Sequence, residues 1–247
     1  MKKLTTLRHK DVIDYPGGGK TVILLHGFLS SKKYWDKVAN LLSLHNYRVI
    51  AVDLLGFGNA IKPKNIDYTY DDHVQHVNDT IRRLRIKDDI ILVGHSMGAL
   101  LAMRYAHDHP DSISRLVLVS PPMYKSSQQA KETLRETSVL YRILLDSRYR
   151  HILWIILRCI GPFAKHTRYS REGSLANVID LAHFFDDIRH VTVPTRLLIG
   201  RRDREVYLEN LHKETVGDTV QIVIEETGHH APQTDAKFVV DQIISTT

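Results

Sequence analysis

Six short, largely apolar runs, each separated from the next by a longer stretch, set the strongest limit on how this chain can fold. They are Thr21–Leu25, Tyr47–Val52, Ile90–Val93, Leu116–Val119, Arg196–Ile199 and Val220–Ile224. A strand with one wet face alternates apolar and polar residues. A strand that is apolar without interruption must bury both faces, as in a parallel sheet clad by helices. Tyr34–Leu44, Tyr70–Arg85, Gly98–His107, Leu208–Thr215 and Ala236–Ile244 have helical periodicity and fall between or after these strands. The pattern predicts the α/β class, with an open, doubly wound, mostly parallel sheet. A short leading hairpin is expected before Thr21.

The alternation lapses between Pro121 and His190, where Lys131–Leu145, Tyr149–Ile160 and Leu175–Phe185 read as helices. Pro121-Pro122 and Pro194 punctuate the stretch. The expected organisation is a core domain of residues 1–120 and 191–247, interrupted by a helical lid of residues 121–190. Such a lid would cover the carboxyl edge of the sheet, where open α/β folds bind ligands.

Charge and cysteine usage exclude some functions. The formal net charge of +6 comes without a long Lys/Arg run, so no nucleic-acid partner is expected. The single cysteine, Cys159, has no partner within the chain for a disulfide and no companions for a zinc site. Arg8, His9, Lys10 and Asp11 interrupt any apolar leader, and the apolar run Ile152–Ile160 is broken by Arg158. The expectation is a cytoplasmic protein with no stable membrane insertion. No cofactor or metal is expected. Gly17-Gly18-Gly19-Lys20-Thr21 precedes a strand, whereas a phosphate loop joins strand to helix, so it reads as a turn. Gly56-Phe57-Gly58 lacks the third glycine of a dinucleotide site, and His73 and His76 read as surface residues.

The residues that carry chemistry are Gly94-His95-Ser96-Met97-Gly98, between a strand and a helix. A serine on a sharp strand-to-helix turn needs glycines two residues away on both sides, because side chains there would collide. The helix start leaves N–H groups free to face developing negative charge. A hydroxyl is a weak nucleophile and needs a base that is itself oriented. Asp203 follows the strand ending at Ile199-Gly200, and His229 follows the strand ending at Ile224. Both therefore stand at the same sheet edge as Ser96. Glu205 and His230 are the rivals for these two roles, and Gly228 directly before His229 favours His229. The loop after Leu116–Val119 offers Ser120-Pro121 and no carboxylate.

Together these motifs resemble the α/β-hydrolase superfamily over nearly the whole chain, and its esterase-like serine hydrolases in particular. His26-Gly27-Phe28 is similar to the family's oxyanion segment, and Asp53-Leu54-Leu55-Gly56-Phe57-Gly58 to its D-x-x-G-x-G turn. Gly200 to Val206 is similar to its acid loop, and Gly228-His229-His230-Ala231-Pro232 to its terminal histidine loop. The resemblance implies an oxyanion hole formed by the N–H groups of Phe28 and Met97. The sequence departs from the pattern at Asn59-Ala60, where serine is usual, at Tyr207, where proline is frequent, and in the crowding of Arg201, Arg202 and Arg204 around the acid.

The expected function is hydrolysis of an ester, thioester or amide of a small to medium, partly apolar molecule through an acyl-enzyme on Ser96. Leu29, Trp154 and Leu157 are candidate substrate contacts. Ser96 excludes mechanisms that need an aspartate nucleophile. His26-Gly27-Phe28-Leu29-Ser30 with Trp35 also resembles a menaquinone-pathway lyase that uses the same triad. A carbon–carbon bond hydrolase and a small-molecule receptor that keeps the triad are the other readings. The sequence does not fix the oligomeric state.

Overall fold

The structure is a computed structural model that describes residues 10–87, 89–137, 165–213 and 216–245. Strands β1 (Val12–Tyr15), β2 (Thr21–Leu25), β3 (Arg48–Val52), β4 (Ile90–His95), β5 (Ile113–Val119), β6 (Thr195–Gly200) and β7 (Val220–Glu225) form one sheet in the order β1-β3-β2-β4-β5-β6-β7. All pairs are parallel except β1 with β3. The leading strand β1 therefore pairs with β3 and not with its sequence neighbour β2; the expected leading hairpin falls partly on residues 1–9, outside the described residues. The turn at Gly17 packs on the chain entering β3, where a Cβ would come 2.1 Å from the carbonyl oxygen of Tyr47.

Alternation within the apolar runs distributes side chains to two cores. Ile23, Leu25, Leu92, Leu116, Leu118 and Leu197 enter one; Val22, Leu24, Ile91, Val93, Val117 and Leu198 enter the other. The first core is covered by α2 (Tyr70–Arg83) and α3 (Met97–Asp108), the second by α1 (Asp36–Leu44) and the helix Ala236–Ile244. Each such fully buried aliphatic side chain contributes about 1.5–3 kcal/mol. Thr69 caps α2 with a capping box: its hydroxyl accepts from the N–H of Asp72, whose carboxylate accepts from the N–H of Thr69.

Between the neighbouring strands β5 and β6 lie α4 (Ser127–Thr137), a helix at Arg168–Ser174 that runs on as a π-helical turn at Leu175–Ile179, and a helix at Phe184–Ile188. The single helix expected over Leu175–Phe185 is thus two pieces, broken where Ala182 takes a φ of 56°. Leu175, Val178, Ile179, Phe184, Phe185 and Ile188 pack into the α2–α3 core. Arg104 of α3 forks onto Asp187 at 2.8 and 3.0 Å, which fixes the last helix in place. The expected helix Tyr149–Ile160 and most of Lys131–Leu145 lie outside the described residues. Among the described residues, no helix is long and apolar enough to cross a membrane.

Candidate active site

The sheet delivers Ser96 to its carboxyl edge on a backbone that few serines adopt. Ser96 has φ 53° and ψ −122°, between the end of β4 and the first residue of α3. Holding an L-residue there costs about 1–3 kcal/mol, which the surrounding packing must offset. The flanking glycines make that turn possible. A Cβ on Gly94 would come 2.2 Å from the carbonyl oxygen of Gly98, and one on Gly98 would come 2.4 Å from that of Leu25. Gly98 thus lets α3 press against the end of β2, next to the loop that carries Phe28. Met97 opens α3, so its N–H belongs to the unpaired first turn of a helix. Phe28 sets its ring edge-on to Phe57 at 5.9 Å, and Leu29 takes a φ of 57°.

Asp203 and His229 meet because the β6–β7 ladder continues beyond both strands. The N–H of Arg201 donates to Glu225 O at 2.8 Å, and that of Arg202 to Thr227 O at 2.9 Å. Gly200 lies so close to Thr227 that a Cβ would come 2.3 Å from its carbonyl oxygen. The His229 Nδ1–H then faces the Asp203 carboxylate at 3.0 and 3.1 Å. The Asp203 side chain is 1% exposed and that of His229 is 23% exposed. Burial raises the Asp203 pKa, but the His229 hydrogen bond and charge, the Arg204 N–H and the Arg204 guanidinium together outweigh it and hold the pKa below its ordinary 3.8. Glu205 is exposed at the start of the following helix, and His230 Nδ1 lies 3.2 Å from the hydroxyl of Tyr34.

Ser96 and His229 line one cavity of about 380 Å³ together with Phe28, Leu29, Tyr34 and Tyr124. Leu134, Leu175 and Ile179, all from residues 121–190, line it too. Trp154 and Leu157 lie outside the described residues. Of the crowding arginines, Arg201 and Arg202 reach Glu226 at the surface, at 3.2 and 3.9 Å. Arg204 turns inward, lines the cavity and donates to the Tyr207 hydroxyl at 2.5 Å. Tyr207 in turn donates to Tyr124 at 3.1 Å. Arg204, Tyr34 and Tyr124 were not singled out as site residues from the sequence. Arg204 carried a signal only through its adjacency to Asp203.

The D-x-x-G-x-G turn is structural. The buried Asp53 carboxylate accepts the N–H of Lys32 at 2.7 Å and that of Asn59 at 2.8 Å, and it pairs with the Lys32 ammonium. Asn59 contributes its backbone N–H, so the turn does not depend on the usual serine. A Cβ on Gly58 would strike the Asp53 carboxylate, at 2.3 Å. His73 is not a surface residue: it is fully buried, 2.9 Å from Ser174 Oγ, and burial with the charges of His76 and His26 pushes its pKa down to about 3. His76 is half-buried and its Nε2 lies 3.1 Å from Asp53 O, which only accepts. Among the described residues no cluster of His, Cys, Asp and Glu could hold a metal ion.

The sheet order, the strained serine and the matched profile agree. A sequence profile described as the alpha/beta hydrolase fold matches residues 20–137. The chain has the α/β-hydrolase fold. Among curated relatives of this chain, a probable lysophospholipase, BODYGUARD 4 of Arabidopsis thaliana, is 34% identical over 202 residues, which cover 65% of this chain and 46% of the relative. The 2-hydroxy-6-oxo-6-(2'-aminophenyl)hexa-2,4-dienoic acid hydrolase of Metapseudomonas resinovorans is 29% identical over 87% of this chain and 79% of its own length. The chain spans less than half the length of the first BODYGUARD relatives it matches. Among solved structures, an esterase from Exiguobacterium antarcticum superposes with a TM-score of 0.71 at 21% identity, covering 95% of both chains.

Proposed function

We propose that this α/β hydrolase cleaves an ester, or a thioester or amide, of a small to medium, partly apolar molecule through an acyl-enzyme on Ser96. The observation that carries this reading is the meeting of Ser96, on its strained turn, with the Asp203–His229 pair at one cavity. Ser96 Oγ attacks the substrate carbonyl carbon and passes its proton to His229 Nε2. Asp203 holds the Nδ1–H tautomer and stabilises the imidazolium. The N–H groups of Phe28 and Met97 receive the oxyanion. The tetrahedral intermediate expels the leaving group, which takes the proton from His229. Water, activated by the same imidazole, then releases the acid. Residues 121–190 act as a lid, a role supported by the place of Leu134, Leu175 and Ile179 in the cavity wall.

The deciding experiment is labelling with a fluorophosphonate, followed by peptide mapping. Ser96 is expected to be the modified serine. Ser96→Ala is expected to lose about 10⁶-fold in kcat on an aryl ester with the fold intact. A label on another serine with Ser96 untouched would overturn the proposal. The Metapseudomonas relative favours one second reading, carbon–carbon bond hydrolysis with the same three residues. That reading predicts Ser96-dependent cleavage of a vinylogous 1,5-diketone faster than of any simple ester. Tight binding of a small molecule with negligible turnover would instead mark a receptor.

A further inference from the structure

His95 stands beside Ser96 in sequence and is almost wholly buried. Its Nε2 lies 2.7 Å from the main-chain carbonyl oxygen of His229. A carbonyl oxygen only accepts, so Nε2 carries the hydrogen and donates it. Nδ1 is then the bare nitrogen, and it is buried without a hydrogen-bond partner. On that side the ring abuts Gly27, where a Cβ would come 2.9 Å from Nδ1 and 3.1 Å from Ser96 Cβ. One face stacks on Tyr34, with centroids 4.6 Å apart and planes 23° apart. The Tyr34 hydroxyl is 3.2 Å from His95 Nε2 and 3.2 Å from His230 Nδ1, so it receives a share of the His95 hydrogen and donates its own to His230.

The imidazole therefore spans the gap between two loops that the chain keeps far apart: the segment leading to Phe28 and the loop bearing His229. Burial, together with the nearby charge of His229, holds the His95 pKa well below 6.5, so the ring is a neutral donor. The His229 imidazole is already held at Nδ1 by Asp203. A contact to the ring alone leaves the main chain that carries it free to shift. Fixing the carbonyl of the same residue removes that freedom. An ångström of misplacement in a reacting group costs about 10²-fold in rate.

We infer that His95 is a positioning residue, whose Nε2–H bond to the His229 carbonyl and contact with Gly27 set the spacing between the base and the oxyanion loop. The inference rests on the assignment of Ser96, Asp203 and His229 as the reacting set. It predicts a specific division between two substitutions. Phenylalanine fills the ring's volume and cannot donate. The amide nitrogen of glutamine reaches about where Nε2 does and can donate.

The test compares His95→Phe and His95→Gln with the unaltered protein. The measurements are kcat and KM for p-nitrophenyl butyrate, the rate of fluorophosphonate labelling at Ser96, and the unfolding temperature. His95→Phe is expected to lower kcat and the labelling rate together, by about 30- to 100-fold, with KM within about twofold. His95→Gln is expected to stay within about fivefold of the unaltered kcat, although the two variants lose similar unfolding temperature. Equal losses in both variants would reduce His95 to a packing residue, and so would a loss confined to KM or an unaltered rate in His95→Phe. Should His95→Phe not fold, the glutamine variant decides: folded His95→Gln with less than about a hundredth of the kcat overturns the inference. An unlabelled Ser96 in the unaltered protein would overturn the parent assignment. A labelled Ser96 whose labelling rate ignores His95→Phe would overturn only the positioning role.

Discussion

At the scale of single residues, the site separates pairs that sequence alone leaves close together. His229 and His230 are adjacent, yet one faces Asp203 and the other faces Tyr34. His229→Ala is therefore expected to abolish ester turnover. His230→Ala should lower it by less than about tenfold, since it removes only an acceptor for the Tyr34 hydroxyl. Kinetics on the two purified, folded variants check this, and the reverse ranking would reassign the base. Asp203→Asn should lose about 10⁴-fold in kcat, because an amide can hold the wrong imidazole tautomer. The depressed pKa of Asp203 also has a signature in stability. Its folded value lies below the ordinary 3.8, so its carboxylate stabilises the fold fully above about pH 5 and loses that effect as pH falls through the folded value. The unfolding free-energy difference between the unaltered protein and Asp203→Asn should be level from about pH 7 to 5 and should shrink at more acid pH. A difference that instead grew toward low pH would show that burial, and not His229, dominates this carboxyl.

At the scale of elements, turns carry the site, and turns were only partly legible. The G-x-S-x-G spacing announced its own sterics, and a Cβ at Gly94 would indeed strike Gly98; the close approach of Gly98 to Leu25 on β2 was not legible. The Asp53 turn was recognisable as a motif, but not as a buried ion pair with Lys32, because the partner lies far back in the chain. Removing one member of such a pair strands the other. Asp53→Ala is expected to cost about 3–5 kcal/mol, read as a shift in the urea midpoint. A loss under about 1 kcal/mol would mean that Lys32 reaches water in the variant. His73 was misread for a related reason. Its neighbours Asp71, Asp72 and Gln75 are polar, and nothing local reveals that Ser174 packs over that face of α2. Nor was it legible that β1 pairs with β3, where the turn at Gly17–Gly19 packs on Tyr47.

At the scale of the whole molecule, the parallel sheet was plain in the unbroken apolar runs, since only burial on both faces tolerates them. The lapse in that pattern marked the stretch between β5 and β6 that the described residues fill with helices, while the π-helical turn and the break at Ala182 were not visible, because both depend on seating against α3 and the core. If Leu134, Leu175 and Ile179 roof the acyl site, then lengthening the acyl chain of an aryl ester should lower KM. The gain should be up to about fourfold per methylene, or about 0.8 kcal/mol, until the cavity fills. Leu175→Ala should shift the preferred chain length upward, and an unchanged profile would place the acyl group elsewhere. The division of labour along the chain has one more consequence. Ser96 and the proposed oxyanion donors Phe28 and Met97 precede residues 121–190, whereas Asp203 and His229 follow them, in the loops after β6 and β7. Within the sheet the halves join where Leu116 pairs with Thr195 and its successors with theirs, and outside it α1 packs against the helix Ala236–Ile244. That pairing closes the longest loop in the sheet, and contacts distant in sequence form slowly. If the chain hydrolyses esters as proposed, recovered activity in a refolding chain is thus a clock for its last act of assembly: it should lag behind the return of helical circular dichroism and keep pace with burial of the β5–β6 seam.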